Sequence, residues 1–286
     1  MFEPRRVECP VCRSATAELW RVVEGFDYFR CAGCESIAID PRVLSDVDDG
    51  RFIQAYRENY WRDELSAAKE RSYGPALARV AEVLLYARRP VRRFLDVGAG
   101  PGYLLDALSC YLPASKDLFH GVELFPPKAH TSHPNYHAGP VASLSGTFDA
   151  GSCIEVVEHL TPTMLGHLLG QLAEHSAPQA LFIVNSGLPE YVLHEDPGYM
   201  DPLRRGHIVS YSIAAMRMIG AEHGFSVLPL RGKSWAYLLE YHSESPRDEP
   251  LDRIWSALPE NKQILHDPAM GSLLYVLGID TARVSS

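Results

Sequence analysis

The sequence predicts an α/β protein, a doubly wound sheet with a small four-cysteine zinc ribbon at its N-terminus. Two observations support this prediction. Two C-x2-C pairs lie within the first 34 residues, and a buried strand pattern, "FLDV", leads directly into a glycine turn and a helix pattern. A strand, a glycine turn and a helix in succession form the nucleotide-binding corner of doubly wound sheets.

Composition restricts the class of protein. The chain has 286 residues, 46% of them hydrophobic, which suffices for one large domain with an appendage. A formal net charge of -9 argues against broad contact with nucleic acid. There is no apolar run of about 18 residues and no apolar leader, so we expect a cytoplasmic protein without a membrane span.

The cysteine spacing predicts a structural zinc site. The pairs "CPVC" and "CAGC" give C-x2-C-x18-C-x2-C, formed by Cys9, Cys12, Cys31 and Cys34. Each pair aims two thiolates at one point, and two pairs close a tetrahedron without an open coordination position. The segment between the pairs predicts a hairpin, and the alternative is four buried free thiols. Cys110 and Cys153 lie outside the pattern, and we interpret them as small core residues.

The glycine turn suggests the kind of ligand. Gly98, Gly100 and Gly102 form G-x-G-x-G, and Asp96 precedes them. An acid there suits a cationic or amine-bearing ligand better than a diphosphate. Glu123, in "FHGVELF", ends the next strand pattern, where a carboxylate can bind ribose hydroxyls. An NAD- or FAD-binding domain is the alternative.

These motifs resemble those of class I S-adenosylmethionine-dependent methyltransferases. "LDVGAGPGYLL" is similar to their first motif, "GVEL" to their second, "GTFDAGSCIEVVEHL" to their fourth strand and "ALFIVNSGLP" to their fifth. The resemblance covers about residues 70–230. It implies a seven-stranded sheet, with Asp96 and the glycine loop around the methionine part of the cofactor and Glu123 on its ribose.

The chain is predicted to divide into four parts. They are a zinc ribbon (1–45), a helical linker and cap (46–90), the cofactor-binding methyltransferase domain (91–242) and a C-terminal extension (243–286). In the linker, Phe52, Tyr56, Tyr60 and Trp61 are spaced to share one helical face. The extension either packs on the domain or takes part in a dimer contact. The sequence leaves the oligomeric state open.

Three polar residues interrupt the apolar stretch "CIEVVEHL" at the carboxyl end of the fourth strand. Ligands bind at this edge of such sheets, so we expect Glu155, Glu158 and His159 to face the cofactor and acceptor. Glu-x-x-Glu-His resembles the motif of ubiquinone-pathway O-methyltransferases and of enzymes that methylate small-RNA 3′ ends. That resemblance implies Mg²⁺ or Mn²⁺ ligands, with His207 as a further one.

A site without metal is the open alternative. In that case Glu155 orients the cofactor, and His159 or His207, with Glu158 beside them, acts as general base on a hydroxyl. A purely structural loop is the third interpretation. The segment after the fifth strand offers candidate acceptor contacts, namely Tyr191, His194, Tyr199, Arg204 and Arg205.

The ribbon, the aromatic linker and this domain together resemble a bacterial subgroup of methyltransferases. It includes enzymes of sugar, surface-polysaccharide and secondary-metabolite pathways. We therefore expect methyl transfer to a hydroxyl of a small-molecule acceptor, namely a sugar, nucleotide sugar or glycan. The alternatives are a 2′-O-methyltransferase acting on RNA through the metal site and a non-catalytic protein that binds the cofactor.

Overall fold

The computed structural model describes residues 5–52, 58–242 and 249–276. Its strands, in chain order, are β1 (Arg6–Glu8), β2 (Thr16–Val23), β3 (Phe26–Cys31), β4 (Ile37–Ile39), β5 (Phe94–Val97), β6 (Phe119–Glu123), β7 (Tyr136–Ala138), β8 (Phe148–Ile154), β9 (Ser176–Asn185), β10 (Val209–Ser210), β11 (Phe225–Pro229) and β12 (Ala236–Tyr241). Its α-helices are α1 (Pro41–Asp48), α2 (Glu58–Ser72), α3 (Pro75–Tyr86), α4 (Tyr103–Tyr111), α5 (Pro162–Glu174), α6 (Pro189–His194), α7 (Ile213–Glu222), α8 (Pro259–Ile264) and α9 (Pro268–Val276). None of these helices is long and apolar enough to cross a membrane.

The larger sheet confirms the predicted fold class. Its strand order is β11-β12-β9-β8-β5-β6-β7. Neighbours from β9 through β7 are parallel, and β12 runs antiparallel to both β9 and β11. The chain begins this sheet at β5 and then builds outward on both sides. The strand order therefore reverses at β5, and such a switch point opens a crevice at the carboxyl ends of the strands.

Successive residues along each strand point to opposite faces of the sheet and so belong to two separate cores. Leu95 and Val97 of β5 belong to the core on one face of the sheet, while Phe94 belongs to the core on the other. The same alternation separates Phe182 from Ile183 on β9. Both faces are covered, as the near-continuous apolar strand patterns indicate.

The ribbon forms a second sheet that is continuous with one of these cores. β2 and β3 pair antiparallel around a turn at Glu24 and Gly25, as the sequence predicts. The strand order is β1-β2-β3-β4-β10, so the fifth strand comes from residues 209–210. Tyr28 and Ile37 of the ribbon lie in the same core as Leu95. The predicted domain boundaries stay predictions.

The linker helix α3 covers the opposite face of the larger sheet. α3 begins at Pro75, where proline's fixed φ suits the first helical position, and most of its residues are buried. Phe52 lies before α2 and contacts the Phe26 ring at 5.8 Å between centroids. It is therefore not part of the predicted helical face, and Tyr56 lies outside the described residues.

The C-terminal extension packs against the sheet through buried polar contacts. Arg253 donates two hydrogen bonds to the Glu240 carboxylate on β12, at 2.9 and 3.0 Å, and both side chains are buried. Asn261 is fully buried. It accepts from the Val91 backbone N–H and donates to the Arg89 carbonyl. These contacts attach residues 249–276 to both β12 and the segment before β5.

Replacing one member of the buried pair should destabilise the fold strongly. Arg253→Met leaves the Glu240 carboxylate buried without its partner, so we expect the free energy of unfolding to fall by about 3–5 kcal/mol. Chemical denaturation measures this change. Arg231→Met is the matched control, because Arg231 makes an exposed ion pair with Glu249, worth about 0–1 kcal/mol. Equal effects of the two substitutions would contradict the role given to the buried pair.

Candidate active site

Four thiols converge at one end of the ribbon sheet. The sulfur atoms of Cys9, Cys12, Cys31 and Cys34 all lie within 4.8 Å of one another. The Cys9–Cys34 and Cys12–Cys31 sulfur distances are 3.8 and 3.6 Å. A tetrahedral Zn²⁺ with Zn–S bonds of 2.3 Å would separate its sulfurs by about 3.8 Å. The spacing of the thiols therefore fits this ion.

Backbone N–H groups support negative charge on these sulfurs. Cys31 Sγ accepts from the N–H groups of Gly33 and Cys34, and Cys9 Sγ accepts from that of Cys12. The hydrogen bond between Cys9 and Cys34 lowers the pKa of Cys34 to about 5 and raises the pKa of Cys9, so these two sulfurs share one proton. Thiolate is the form that binds metal.

The remaining two cysteines differ from each other. Cys153 is buried on β8, as the sequence predicts. The prediction is wrong for Cys110, which is exposed. It lies at the end of α4, whose buried residues, Leu104, Leu105, Ala107 and Leu108, face the core from the earlier turns.

The glycine turn after β5 has the backbone that its sequence requires. Gly98, Gly100 and Gly102 have φ values of +71°, +51° and +81°. A Cβ on Gly98 would lie 2.4 Å from Val156, and one on Gly102 would lie 2.2 Å from Thr131. A Cβ on Gly100 would meet nothing within 4 Å. Gly98 and Gly102 thus pack the loop tightly, while Gly100 faces open space that a ligand can approach.

Glu123 lies at the end of β6, beside this open space. Its Oε2 accepts from the Gly100 N–H at 2.8 Å, and its Oε1 accepts from the Phe125 N–H at 2.9 Å. Each oxygen keeps a lone pair for another donor. Tyr136 donates to the Gly100 carbonyl at 2.6 Å and holds the other side of the loop. Leu124 follows Glu123 and is 52% exposed, which leaves an apolar surface next to the carboxylate.

Asp96 is the buried acid beside the glycine turn. Its Oδ1 accepts from the Ser152 hydroxyl at 2.8 Å. Burial, with a smaller contribution from the charge of Glu123, raises the pKa of Asp96 to about 7, although the Ser152 hydrogen bond opposes this. A cation beside Asp96 would favour its charged form.

Glu155 stands at the end of β8 in an unusual conformation. Its φ is +55°, a left-handed conformation that costs a residue with a Cβ about 1–2 kcal/mol. Its backbone N–H donates to the Asn185 carbonyl, and the Asn185 amide donates to Glu155 Oε1 at 3.1 Å. Burial and the charge of Glu158 raise the pKa of Glu155 to about 8.

Glu158 is fully buried in the short 3-10 helix Val157–His159. Its Oε1 accepts from the Tyr199 hydroxyl at 2.9 Å. Its Oε2 is buried and makes no geometrically good hydrogen bond with the described residues. Desolvation raises the pKa of Glu158. A buried carboxylate with an unsatisfied oxygen calls for a proton or a cation.

His159 and His207 meet beside this carboxylate. Their ring centroids are 4.9 Å apart, and His207 Nε2 lies 3.9 Å from Glu158 Oε1. His207 Nδ1 donates to the Tyr199 carbonyl at 2.8 Å, and His159 Nδ1 lies 3.1 Å from the Gly206 carbonyl. Burial lowers the pKa of His207 well below its usual value, so its imidazole is neutral and Nε2 carries a lone pair.

The side chains in this arrangement can either accept a proton or bind a metal ion. One oxygen or ring nitrogen from each of Glu158, His159 and His207 lies within 4.8 Å of the others. Metal-binding imidazoles usually fix their second nitrogen on a carbonyl, as both imidazoles do here. Glu155, predicted as a fourth ligand, is not in this group and bonds to Asn185 instead.

The polar residues of the segment after β9 differ in burial and in their partners. Tyr199 is buried against Glu158, and the Tyr191 and Tyr199 ring centroids are 5.5 Å apart. Arg205 forms an ion pair with Asp196 at 2.8 Å. His194 and Arg204 are exposed. The structure thus brings Tyr191 and Tyr199 to the acid–histidine cluster and keeps Arg205 bound to an acid of its own segment.

Two supporting residues were not found from the sequence. Asn185 ends β9, and Ser152 lies on β8 opposite Asp96 in the parallel register. A polar residue at the end of an apolar strand is a detectable signal for Asn185. A serine inside an apolar strand gives no comparable signal, since it marks a site only when its neighbour across the sheet is an acid.

The comparisons with known proteins agree with this architecture. A family model described as a methyltransferase domain matches residues 53–230, which is more than half of the chain. No curated protein matches the chain in sequence.

Solved structures are similar to parts of the chain at low identity. S-adenosylmethionine-bound CalS10, an amino pentose methyltransferase from Micromonospora echinaspora, is 18% identical over 66% of this chain and 99% of its own, with a TM-score of 0.45. DesVI from Streptomyces venezuelae is 16% identical over 63% and 96%, with a TM-score of 0.45. Magnesium protoporphyrin IX methyltransferase from Synechocystis PCC 6803 is 20% identical over 53% and 73%, with a TM-score of 0.35.

The family assignment rests on the match to the family model and on the sheet that carries the glycine turn. The chain therefore belongs to the methyltransferase-domain family and is an S-adenosylmethionine-dependent class I methyltransferase.

Proposed function

We propose that this methyltransferase acts on a hydroxyl of a small-molecule acceptor, a sugar, nucleotide sugar or glycan of a bacterial surface-polysaccharide or secondary-metabolite pathway. One observation supports a hydroxyl as the group that is methylated. His207, a buried and neutral imidazole, points its Nε2 toward Glu158 at the edge of the sheet where the glycine turn lies. A hydroxyl is a poor nucleophile until a base or a metal takes its proton.

The cofactor side of the site fits the sulfonium cofactor. S-adenosylmethionine supplies an electrophilic methyl group for in-line displacement. The open space at Gly100 allows close approach, and Glu123 offers lone pairs to the two ribose hydroxyls. Asp96 contributes negative charge that favours the amine of the cofactor's methionine part. The exposed apolar side chain of Leu124 provides a surface for an aromatic base.

On the acceptor side, the protein's contribution is to hold the hydroxyl and remove its proton. Tyr199 fixes Glu158 on one side, and its carbonyl fixes the tautomer of His207 on the other. His207 Nε2 then accepts the proton, and Glu158 stabilises the resulting imidazolium. Correct positioning of two reactants supplies most of the acceleration that a methyl transfer needs.

The sugar class is supported by the resemblance of the ribbon, linker and domain arrangement to sugar methyltransferases, which is an argument from analogy. Tyr191, half-buried beside Tyr199, offers aromatic surface of a kind that suits the apolar face of a sugar ring. The net charge of -9 supports a small acceptor over a nucleic acid.

A second candidate is 2′-O-methylation of RNA through a divalent ion. The grouping of Glu158, His159 and His207 around one point favours it. Carboxylate oxygen and imidazole nitrogen suit Mn²⁺, and Mg²⁺ when water completes the shell. The ion would bind the acceptor hydroxyl and lower its pKa.

Labelled S-adenosylmethionine tests both candidates. Zinc-loaded protein dialysed free of Mg²⁺ and Mn²⁺ is incubated with nucleotide sugars, acidic sugars, glycans, phenols and short RNA, with and without added Mg²⁺ or Mn²⁺. We expect label in a sugar-containing acceptor. Label only in RNA would contradict the proposed acceptor class. A rate of transfer that does not change with added metal would exclude a catalytic ion.

Substitution of His207 tests the base within the same assay. His207→Asn should lower kcat by about 100- to 10,000-fold while leaving cofactor binding unchanged, since it removes the proton acceptor. His167→Asn is the control, because His167 is exposed on α5. Transfer at the control rate by the His207 variant would exclude His207 from the chemistry.

We also propose that the four thiols bind one structural zinc. Cys31→Ser should reduce zinc from one per chain to none and expose the ribbon to protease, because a ribbon of this size has little core of its own. Cys110→Ser should keep the metal, since Cys110 is exposed and outside the cluster. Elemental analysis and limited proteolysis measure both effects. An intact ribbon in zinc-free wild-type protein would refute the proposal.

Cofactor binding should depend on pH through Asp96. Its pKa is about 7 in the free protein, and the cationic cofactor favours the charged form, so binding releases a proton at low pH. Affinity should therefore be constant between about pH 7 and the pKa of the cofactor's own amine, and should fall by up to about tenfold per unit below about pH 7. Calorimetry in buffers of different ionisation enthalpy measures both effects.

Asp96→Asn should remove this dependence and weaken binding about 10- to 100-fold at pH 8. Asp117→Asn, at an exposed aspartate, is the control. The same pH profile in wild-type and Asp96→Asn protein would assign the titration to another group.

A further inference from the structure

The ribbon makes direct hydrogen bonds to the segment that carries His207. β4 pairs antiparallel with β10, two residues after this histidine. The Ile39 N–H donates to the Ile208 carbonyl at 2.9 Å, which extends the pairing toward His207. The end of the ribbon sheet and the candidate acceptor site are therefore parts of one hydrogen-bonded structure.

The opposite side of Ile208 is bonded to the acid. Its backbone N–H donates to the Glu158 carbonyl at 2.8 Å. One residue thus joins the ribbon strand to the short helix that carries Glu158 and His159. The spacing between Glu158 and His207 is set through this backbone.

Tyr28 of the ribbon reaches His207 itself. Its side chain is fully buried, and its hydroxyl donates to the His207 carbonyl at 2.7 Å. Burial raises the pKa of Tyr28 well above its ordinary value, so the hydroxyl keeps its proton and remains a donor. The hydrogen bond fixes the peptide of His207, while the Tyr199 carbonyl fixes its ring.

Three further hydrogen bonds involve the metal-binding turn, the residue Ser36 after it and the helix that follows β4. The Ser212 hydroxyl donates to the Cys34 carbonyl, and the Ser212 N–H donates to Ser36 Oγ at 3.1 Å. Thr161, two residues after the 157–159 helix, donates to Asp48 of α1 at 2.5 Å. Both segments that form the acid–histidine cluster are therefore attached to the N-terminal region.

We propose that the ribbon is a structural part of the acceptor site and that Tyr28 is a positioning residue that fixes His207. The catalytic consequence rests on the proposed role of His207 in methyl transfer. A ribbon that served as a separate recognition module would not need its buried tyrosine at this point. Loss of the Tyr28 hydroxyl leaves a buried carbonyl unsatisfied and loosens residues 207–210 without touching the cofactor loop.

Hydrogen–deuterium exchange of the metal-loaded full chain tests the structural part without any acceptor. In Tyr28→Phe, exchange of the 207–210 amides should rise by at least about tenfold, while exchange over 98–123 stays unchanged. Tyr86→Phe is the matched control, because Tyr86 is equally buried but lies in the other core. In Cys31→Ser, which should lack the metal, the same amides should exchange faster together with those of the ribbon.

Kinetics test the catalytic part with the acceptor that takes up label in the assay above. Tyr28→Phe should lower kcat by about 10- to 100-fold, with zinc content and S-adenosylhomocysteine affinity as in the wild type. Unchanged exchange at 207–210 would overturn the proposal, and so would faster exchange with unchanged kcat. If no acceptor is methylated, the proposed function fails, and the exchange result alone decides whether the ribbon holds this segment.

Discussion

The short pairing between β4 and β10 is the interaction on which the acid–histidine cluster depends. Ile208 bonds to Ile39 through its carbonyl and to Glu158 through its N–H, so its backbone holds two distant segments at a fixed separation. Glu158 needs that support, because a buried carboxylate with an unsatisfied oxygen is costly and would move toward solvent if the backbone allowed it. The shared core behind Tyr28 and Ile37 stabilises the pairing, which is too short to persist alone.

A second constraint comes from the register of the parallel strands. Val97 is level with Val122 on one side and with Cys153 on the other, so β5, β6 and β8 end at the same edge. The residues that follow these strands therefore converge, although they are far apart in sequence. Left-handed backbone at the glycine turn and at Glu155 then directs the chain away from the sheet and leaves room above the strand ends.

The sequence was informative where local chemistry restricts structure strongly. C-x2-C pairs, a G-x-G-x-G turn after an apolar strand and acids at strand ends each have few structural uses, so their positions could be predicted. It was weak where one side of a helix or strand had to be chosen. Cys110, which lies outside the C-x2-C pattern, is predicted as a small core residue and is exposed. Arg205, which lies in a turn, pairs with Asp196, and its contact with the acceptor stays a prediction.

The sequence alone determined the glycine turn, because it follows from backbone preferences within a short segment, and the candidate donors, because they are polar residues at the ends of apolar strands. The seven-stranded sheet followed from the resemblance of the motifs to those of class I methyltransferases. Only the tertiary structure decided which donors meet. Glu158, His159 and His207 form one group, while Glu155 bonds to Asn185. It also revealed that Tyr28 bonds to the peptide of His207, 179 residues away. Contacts at that separation depend on how two sheets pack, and no local pattern in either segment records it.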